Sequence, residues 1–409
     1  MSAISGWKTA SVKDLCQIGR GRVISGEEIE QHPGIYPVFS SQSKDNGRMG
    51  AIDTFDFEGE YVTWTTDGAY AGTVFHRTGK FNCTNVCGTL AAKDPDLSLA
   101  FLAYKLATCA KDHVSYVGNP KLMNGVMANI ELSLPKSKPE QTKITEILST
   151  VDRAIEQTEA LIAKQQRLKT GLMQDLLTRG IDEHGNLRSE QTHEFKDSPL
   201  GRIPVEWEVC RLESVSDFVT SGSRGWAQYY STEGALFLRI GNLTRHHINM
   251  RFDDVVRVNP PKSSEGNRTA VMCGDLLISI TADLGIIAVI PAGFEEAYVN
   301  QHIALVRLSQ SDVDPRFVGW FLNSRSGQSQ FEKLNESGAK AGLNLPTIKN
   351  LLVPQMEVKE QHRIAEILDA TTQKGSEFQQ RLHKLRSLKT ALMQDLLTGR
   401  KRVTELLNE

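Results

Sequence analysis

The sequence contains one long segment twice. The run EQTKITEIL at residues 140–148 returns as EQHRIAEIL at 360–368. The run LKTGLMQDLLT at 168–178 returns as LKTALMQDLLT at 388–398. Both matches have the same displacement of 220 residues, and 17 of the 39 aligned pairs are identical. Agreement at one fixed displacement identifies an internal repeat, so the fold must use the same structural element twice.

Each copy has the periodicity of a long amphipathic helix, with one stripe of residues that recurs every seven positions. In the first copy the stripe consists of Ile144, Val151, Thr158, Gln165 and Leu172, with companions three residues behind at Ile147, Ala154, Leu161 and Leu168. In the second copy it consists of Ile364, Thr371, Phe378, Leu385 and Leu392, with companions Ile367 and Leu388. Further apolar residues widen both stripes, namely Leu148, Ile155, Ile162, Leu176, Leu368, Leu382 and Leu396.

A helix of this length, roughly 58 Å, cannot bury its stripe alone. We therefore predict that the two copies pair as an antiparallel coiled coil, because each connector must return the chain to the far end. Gly375 stands where the first copy has Ile155, and a glycine inside a helix costs ~1 kcal/mol, so the second helix is expected to bend or fray there. Contacts between the helices or with a partner are expected from Ile144, Val151, Leu161, Leu168, Leu172, Ile364, Phe378, Leu385, Leu388 and Leu392.

A similar globular region precedes each helix. Trp7, Val12 and Leu15 are matched by Trp207, Leu212 and Val215 at a displacement of 200 residues. Each region has β-type runs (35–40, 59–64 and 82–91; 235–240, 274–280 and 299–308), then a predicted helix (97–109; 315–334). The predicted fold class is α+β, with two similar mixed α/β domains and two long paired helices in a pseudo-two-fold arrangement. The expected bounds are domain 1 at 1–134, helix at 135–180, connector at 181–204, domain 2 at 205–353, helix at 354–400 and tail at 401–409.

Composition is that of an ordinary soluble protein, with 40% hydrophobic and 23% charged residues. The net charge of −2 means that any nucleic-acid contact must come from local patches. The six cysteines are scattered, and no second pair or histidine pair follows Cys83 and Cys87 at zinc-site spacing, so reduced thiols and no metal are expected. No apolar signal-peptide core and no membrane span are recognisable, which favours a cytoplasmic protein.

No catalytic motif is evident for phosphate binding, zinc-dependent hydrolysis or a nucleophilic serine. The run Asn259-Pro260-Pro261-Lys262 resembles the Asn-Pro-Pro-aromatic motif of amino-methyltransferases, but a lysine occupies the aromatic position. A loop stiffened by proline is the preferred interpretation of this run.

Glycine-rich loops in both regions carry basic, amide and aromatic side chains. Arginine suits guanine, asparagine and glutamine suit adenine, and lysine and hydroxyl groups suit phosphate. In the first region the candidate DNA contacts are Arg20, Arg22, Ser41, Gln42, Lys44, Arg48, Thr65, Thr66, Tyr70, Lys80, Asn82, Asn119 and Lys121. In the second region they are Arg224, Trp226, Arg239, Asn242, Arg245, His246, Lys262 and Arg268.

The chain resembles the specificity subunit of type I restriction-modification systems. The repeated helix starts, the repeated LKTxLMQDLLT, the domain start at 201–222 and the runs at 59–75 and 274–290 carry the resemblance. The resemblance implies two target-recognition domains that each read half of a bipartite DNA sequence, and helices that set the spacer and bind two modification subunits. It also implies that this chain binds no cofactor and catalyses nothing, because AdoMet, ATP and Mg belong to the modification and restriction subunits.

Two other functions compete with this interpretation. One is a stand-alone adenine methyltransferase built around Asn259 to Lys262, and the other is a structural coiled-coil adaptor. On the leading hypothesis, Arg224→Ala or Arg239→Ala should relax the reading of one half-site. Leu168→Asp or Leu388→Asp should break the paired helices and release the modification subunits.

Overall fold

The computed structural model describes residues 4–41, 44–222, 224–260, 264–309, 311–336 and 343–407. The chain divides into two compact units, Met1–Glu159 with Gln380–Glu409, and Ala160–Gln379. Each unit therefore contains one globular region and half of each long helix. Within the described ranges, no helix combines the length and the apolar character needed to cross a membrane.

The first unit is a mixed α/β structure. Its strands are β1 Trp7–Ser11, β2 Cys16–Arg20, β3 Pro33–Phe39, β4 Arg48–Ile52, β5 Phe57–Thr65, β6 Val74–Cys83, β7 Cys87–Ala92 and β8 Glu131–Pro135. Its helices are α1 Val12–Leu15, α2 Gly26–Gln31, α3 Leu99–Ala107, α4 Asn124–Ala128 and the first half of α5 Lys138–Thr178. Among these strands the main sheet has the order β2-β7-β5-β6-β3-β4, and β1 pairs with β8.

The second unit is built from the same kinds of element. Its strands are β9 Phe195–Ser198, β10 Gly201–Pro204, β11 Glu208–Arg211, β12 Ser216–Ser221, β13 Tyr230–Ser231, β14 Ala235–Leu238, β15 Arg257–Val258, β16 Leu276–Ser279, β17 Ile287–Val289, β18 Ala297–Val299, β19 Ile303–Leu308 and β20 Leu352–Gln355. Its helices are α6 Ser264–Thr269, α7 Pro315–Asn323, α8 Arg325–Glu336, α9 Leu345–Lys349 and the first part of α10 Val358–Leu396. Two sheets have the orders β12-β19-β16-β17 and β13-β15-β14-β18.

The sequence-predicted strands and short helices are present with changed limits. Residues 82–91 form the end of β6, a turn and the start of β7, so the prediction of one strand there was wrong. The turn arises at Thr84, where the Cys87 N–H bonds back to the Thr84 carbonyl at 3.0 Å. The predicted helix 315–334 is two helices, because Ser324 has an extended backbone with ψ of 170°. The connector also contains an antiparallel hairpin, formed by β9 and β10.

Both long helices are confirmed, and in each unit their halves run antiparallel. In the first unit Lys389 Nζ lies 2.6 Å from Asp152 Oδ1, and Arg386 Nη2 lies 2.7 Å from Glu159 Oε1. In the second unit Gln165 Nε2 donates to the Thr371 carbonyl at 3.0 Å. Residue numbers rise on one helix as they fall on the other. The antiparallel pairing is therefore confirmed within the units.

The buried leucines that widen the stripe follow its members by four positions along the chain, whereas the sequence predicted a spacing of three. Leu148, Leu368, Leu382 and Leu396 are buried, whereas Leu161, Leu168 and Leu388 are 41%, 50% and 47% exposed. A stripe that recurs every seven residues can be completed at either spacing, and the sequence has leucines at both. Leu161, Leu168 and Leu388 are therefore only partly covered by the chain itself, and their predicted contact with a partner stays a prediction. Among the other predicted contacts, Ile144, Val151 and Ile364 are buried, and Leu172, Phe378, Leu385 and Leu392 are half-buried.

The fraying expected at Gly375 was wrong, because α10 is continuous from Val358 to Leu396. The expected bend stays a prediction. A Cβ built on Gly375 would meet only the Gln165 Cγ, at 3.8 Å. The neighbouring helix therefore leaves room for a side chain here. The glycine costs helix propensity without breaking the backbone hydrogen bonds.

The repeated EQ pair explains how each domain is held to the helices. Gln141 Oε1 accepts a hydrogen bond from the Ser98 N–H at 2.8 Å, and Ser98 is the N-cap of α3. Gln361 Oε1 accepts from the Asp314 N–H at 2.9 Å, and Asp314 is the N-cap of α7. Both glutamines are buried. The same side chain thus ties the start of a long helix to the first turn of a domain helix in both units.

The repeated LKT lysines make a second junction of the same kind. In the second unit Lys169 Nζ lies 4.8 Å from the centre of the Trp320 ring, and Trp320 Nε1 donates to Asp369 at 2.8 Å. In the first unit Lys389 Nζ lies 5.9 Å from the Tyr104 ring. The Tyr104 hydroxyl donates to Asp152 on α5 at 2.6 Å. In each case a domain aromatic ring bonds an aspartate of one long helix and lies under a lysine of the other.

Each domain core is closed by the start of one long helix and the end of the other. In the first unit Ile144 and Leu148 join Leu396 and Leu397 in the core that contains Trp64. In the second unit Ile364 and Leu368 join Leu176 and Leu177 in the core that contains Trp320. These helix residues are less than 6% exposed. Burial of this apolar surface on the domains, in addition to the helix pairing, stabilises the two long helices.

Candidate nucleic-acid interface

The first domain gathers three predicted residues around one aspartate. Arg20 Nη2 donates to Asp67 Oδ2 at 3.1 Å, and Lys121 Nζ lies 3.9 Å from Asp67 Oδ1. The Thr66 hydroxyl also donates to Asp67, at 2.6 Å. The Arg20 and Lys121 side chains are 35% and 50% exposed. Two cations thus face solvent, one from the end of β2 and one from a loop, and a carboxylate between them holds their positions.

Arg22 is held in a similar way by two carboxylates. Its guanidinium lies 2.7 Å from Glu28 Oε1 and 3.0 Å from Asp56 Oδ2. The hydrogen bond with Glu28 raises the pKa of Arg22, so the side chain keeps its positive charge. Its side chain is 42% exposed. It can therefore meet a phosphate or a base edge without rearrangement of the strands beneath it.

Three predicted contacts of the first domain lie in the interior. Asn82 is fully buried, and its amide accepts from the Asp56 N–H at 2.9 Å and donates to the Thr54 carbonyl at 2.7 Å. Thr65 and Thr66 are also buried. A buried amide whose hydrogen bonds go to the backbone serves the fold. The prediction that Asn82, Thr65 and Thr66 contact DNA directly was therefore wrong.

The other predicted contacts of the first domain are more scattered. Tyr70 is 49% exposed, and Asn119 is exposed on the same hairpin as Lys121. Lys80 lies 4.4 Å from the Phe55 ring. Arg48 donates to the Gly50 carbonyl at 3.3 Å, and Ser41 is half-buried. Gln42 and the side chain of Lys44 lie outside the described residues.

In the second domain, two predicted arginines bind aspartates at the surface. Arg239 Nη2 donates to Asp254 Oδ2 at 2.6 Å. Arg245 binds the Asp283 carboxylate and donates to Gln328 Oε1 at 2.9 Å. The two arginine side chains are 32% and 45% exposed. Arg224 and His246 are also exposed, and Lys262 lies outside the described part of the chain.

Other predicted residues of the second domain serve the fold. Trp226 is 3% exposed and stacks on Phe237 with ring centres 5.8 Å apart. Asn242 is 3% exposed, and its amide accepts from the Arg239 N–H at 2.9 Å and donates to the Arg251 and Asp254 carbonyls. Direct DNA contact from these two residues was wrongly predicted, because both are enclosed. Arg268 is half-buried and bonds Thr220 and the Ser221 carbonyl, so it supports β12.

The two domains share one arrangement that the sequence did not indicate. Asp67 comes soon after β5, Asp283 comes soon after β16, and each binds a predicted DNA-reading arginine. A carboxylate beside an arginine orients the guanidinium. The Arg245 guanidinium also donates to Gln328 and to the Leu284 carbonyl, so three partners fix its direction. Asp67 and Asp283 were missed because an aspartate in a loop has no distinctive sequence signal.

The Asn-Pro-Pro run gains no support as a catalytic loop. The Asn259 N–H donates to the Tyr229 carbonyl at 3.0 Å, and its side-chain oxygen faces Gly234, whose φ is +106°. This places Asn259 in the turn that follows β15. In the described residues no group of three or more His, Cys, Asp and Glu side chains could hold a metal ion.

The exposed leucines of the helices form a second candidate surface, this time for protein. Leu168 and Leu388 occupy the same position of the repeat and are about half exposed. Both precede the lysine that lies over the domain aromatic ring. Leu161 is exposed one heptad before Leu168. Apolar side chains at equivalent positions of a repeat favour a contact that is made twice.

Comparisons with known proteins show which family the chain is similar to. The family model of the type I restriction modification DNA specificity domain matches residues 4–165 and 204–385. A putative type I specificity subunit of Mycoplasma pneumoniae is 51% identical over 144 residues, which cover 35% of this chain and 76% of the relative. The chain spans between 44% and 59% of the length of three other putative type I specificity subunits of that organism.

Two further proteins match nearly the whole chain. The specificity subunit of the MjaVIII type I restriction enzyme of Methanocaldococcus jannaschii is 25% identical over 422 residues, covering 98% of this chain and 94% of the relative. The crystal structure of the type I restriction-modification S subunit from M. genitalium superposes with a TM-score of 0.67. That match covers 95% of this chain and 96% of the other at 17% identity, so it concerns the fold alone.

Proposed function

Because the chain belongs to the type I restriction-modification DNA specificity family, we propose that each globular domain reads one half of a bipartite DNA target. Arg20, Arg22 and Lys121 form the reading surface of the first domain. Arg224, Arg239 and Arg245 form that of the second. The paired helices set the number of unspecified base pairs between the two half-sites.

The observation that carries this proposal is the duplicated junction between domain and helices. Gln141 and Gln361 make the same hydrogen bond to a domain helix, and Lys169 and Lys389 lie over equivalent aromatic rings. A reader fixed rigidly to a helix can address only bases at a set position along the duplex. Because the major groove faces the same side every ~34 Å, a change of helix length should change which segments are read together.

We further propose that the helices bind two modification subunits, and that Leu168 and Leu388 belong to the two equivalent docking surfaces. The chain itself then performs no reaction and acts in the cytoplasm. AdoMet is bound by the modification subunits, which methylate adenine. ATP and Mg are bound by restriction subunits that join the same complex.

The test is to express the chain with its modification subunit and to sequence the methylated motif. We expect a bipartite asymmetric motif. Replacement of residues 1–134 by the matching domain of a relative should change one half of it. Insertion of one helical turn into both α5 and α10 should lengthen the spacer and leave both halves unchanged. A motif that keeps both halves after the domain replacement would show that the domains are not the readers.

Calorimetry with AdoMet on the purified chain separates this function from a stand-alone methyltransferase. We expect no binding by the chain alone and binding once the modification subunit is added. The adaptor hypothesis predicts instead that domain replacement changes protein partners and leaves the methylated sequence intact. The domain replacement therefore also distinguishes a reader from an adaptor.

A further inference from the structure

A short hairpin of the first domain, residues 115–121, lies beside the loop that carries Asp67. The Ser115 N–H bonds the Lys121 carbonyl and the Lys121 N–H bonds the Ser115 carbonyl, both at 2.9 Å. The Gly68 N–H bonds the Pro120 carbonyl at 2.9 Å. The base of the hairpin is therefore held by one antiparallel bridge and by the neighbouring loop.

The base of this 115–121 hairpin is also anchored in the core. Leu122 is fully buried, and its N–H bonds the Thr66 carbonyl at 2.8 Å. Its carbonyl accepts a hydrogen bond from Trp64 Nε1 at 2.9 Å. The hairpin thus leaves the domain at a well-packed point.

The tip carries two apolar side chains that the fold does not bury. Tyr116 is 71% exposed and Val117 is 92% exposed. Gly118 follows with φ of +77°, and a Cβ there would meet nothing within 4 Å. Single exposed apolar residues are common on proteins. An adjacent exposed pair on an anchored turn is less common and suggests a contact surface.

The hairpin also carries a cation of the candidate DNA interface. Lys121 lies 3.9 Å from Asp67, and Asp67 binds Arg20 at 3.1 Å. Resting on the proposed function, we infer that Tyr116 and Val117 contact the bases of duplex DNA beside the Arg20–Asp67–Lys121 cluster. Arg20 and Lys121 meet the backbone or a guanine edge, and the tip supplies the apolar contact.

Physical chemistry favours DNA over a protein partner for this tip. The thymine methyl group in the major groove is an apolar target for a small side chain such as valine. A tyrosine ring can stack on a base, and apolar side chains can wedge between base steps. The neighbouring positive charges of Arg20 and Lys121 attract the phosphates that bring the bases within reach.

The test uses the full chain in complex with its modification subunits and a duplex that contains the wild-type methylated motif. The variants are Tyr116→Ser with Val117→Ser, and Tyr116→Phe. The control is Ile35→Ser, because Ile35 is 80% exposed but belongs to strand β3. We expect the double serine variant to bind DNA about 5- to 100-fold more weakly, with Tyr116→Phe and Ile35→Ser near wild type. One half of the methylated motif should relax.

Unchanged DNA affinity and an unchanged motif in the double variant would overturn the inference. A second contrary result would be that the double variant loses modification subunits while the complex that still assembles binds DNA as tightly as wild type. That result would assign the tip to a protein contact. An equal loss in Ile35→Ser would mean that any exposed apolar residue has this effect. A wild-type complex that methylates no bipartite motif would instead refute the proposed function, whatever the hairpin variants show.

Discussion

Arg188 Nη1 and Nη2 bind the two carboxylate oxygens of Glu360, at 2.5 and 3.1 Å. Arg188 follows the end of the first long helix, and Glu360 lies at the start of the second. In the other unit Arg402, which follows the second helix, binds Glu140 at the start of the first, at 2.6 and 2.8 Å. In both units, therefore, the repeated glutamate at the start of one long helix binds an arginine in the segment that follows the other.

Glu360→Gln should destabilise the second unit. The Arg188 and Glu360 side chains are only 10% and 13% exposed, and Glu360 Oε1 also accepts from the Ile181 N–H at 3.0 Å. Loss of one partner leaves a buried charge unpaired, which costs about 3–5 kcal/mol. Urea unfolding measures the change. Glu213→Gln is the control, because its pair with Lys349 is exposed and should matter by less than about 1 kcal/mol. Equal effects would contradict the role assigned to Glu360.

Lys169→Met should change how stability depends on pH. Burial lowers the pKa of Lys169 to about 8. Between pH 8 and 10.5 the unfolded chain holds a proton on this lysine that the folded chain has lost, so wild-type stability gains from rising pH there. Below pH 8 both states are protonated and the burial cost is fully present. The advantage of the variant over wild type should therefore shrink by about 3 kcal/mol from pH 8 to 10.5. If the unfolding free energies of wild type and Lys169→Met differed by a constant amount over this pH range, the prediction would be contradicted.

Leu168→Asp and Leu388→Asp should leave the fold intact. Both leucines are about half exposed, so the cost in unfolding free energy should stay within about 0.5 kcal/mol. Binding of the modification subunit should be lost, which copurification measures. Leu148→Asp and Leu368→Asp are the matched controls, since both leucines are fully buried at equivalent repeat positions and a buried charge should unfold the unit. Retained subunit binding in the first pair would remove these leucines from the docking surface.

Gly375→Ala should stabilise the protein. The nearest atom to the new methyl group is the Gln165 Cγ at 3.8 Å, an ordinary contact distance. Alanine restores helix propensity and adds about 0.5–1 kcal/mol to the unfolding free energy. Gly171→Ala is the matched control, because nothing lies within 4 Å and the repeat already has Ala391 at that position. A fall in the thermal midpoint for Gly375→Ala alone would show that Gln165 cannot yield.

Asp67→Asn should make DNA binding less selective. The substitution removes the negative charge that faces Arg20 and Lys121, so both cations become available to any phosphate. Non-specific affinity should rise, and the salt dependence should steepen by about one unit of log–log slope. Binding of the complex to cognate and unrelated duplexes over a salt series measures both. Glu213→Gln changes the net charge equally on the second domain, and it should leave the slope as in wild type.

The sequence by itself determined the duplicated helices and their ends. The predicted copies at 140–178 and 360–398 match helices Lys138–Thr178 and Val358–Leu396 within two residues. Periodicity along a helix is a local property, so a single sequence with an internal repeat is enough to show it. The two β-rich domains with alternating apolar runs were recognisable for the same reason.

Only the tertiary structure decided which side chains the fold encloses. Sequence spacing left two registers for the companion leucines, and packing buried Leu148 while leaving Leu168 half exposed. Composition placed Asn82 and Arg20 in one class, but Asn82 is fully buried and Arg20 lies at the surface beside Asp67. Burial and pairing depend on contacts between residues far apart in the chain. A local sequence pattern does not show which distant residues will meet. The anchored tip of Tyr116 and Val117 became visible for the same reason, once the fold had buried their neighbours and left them in solvent.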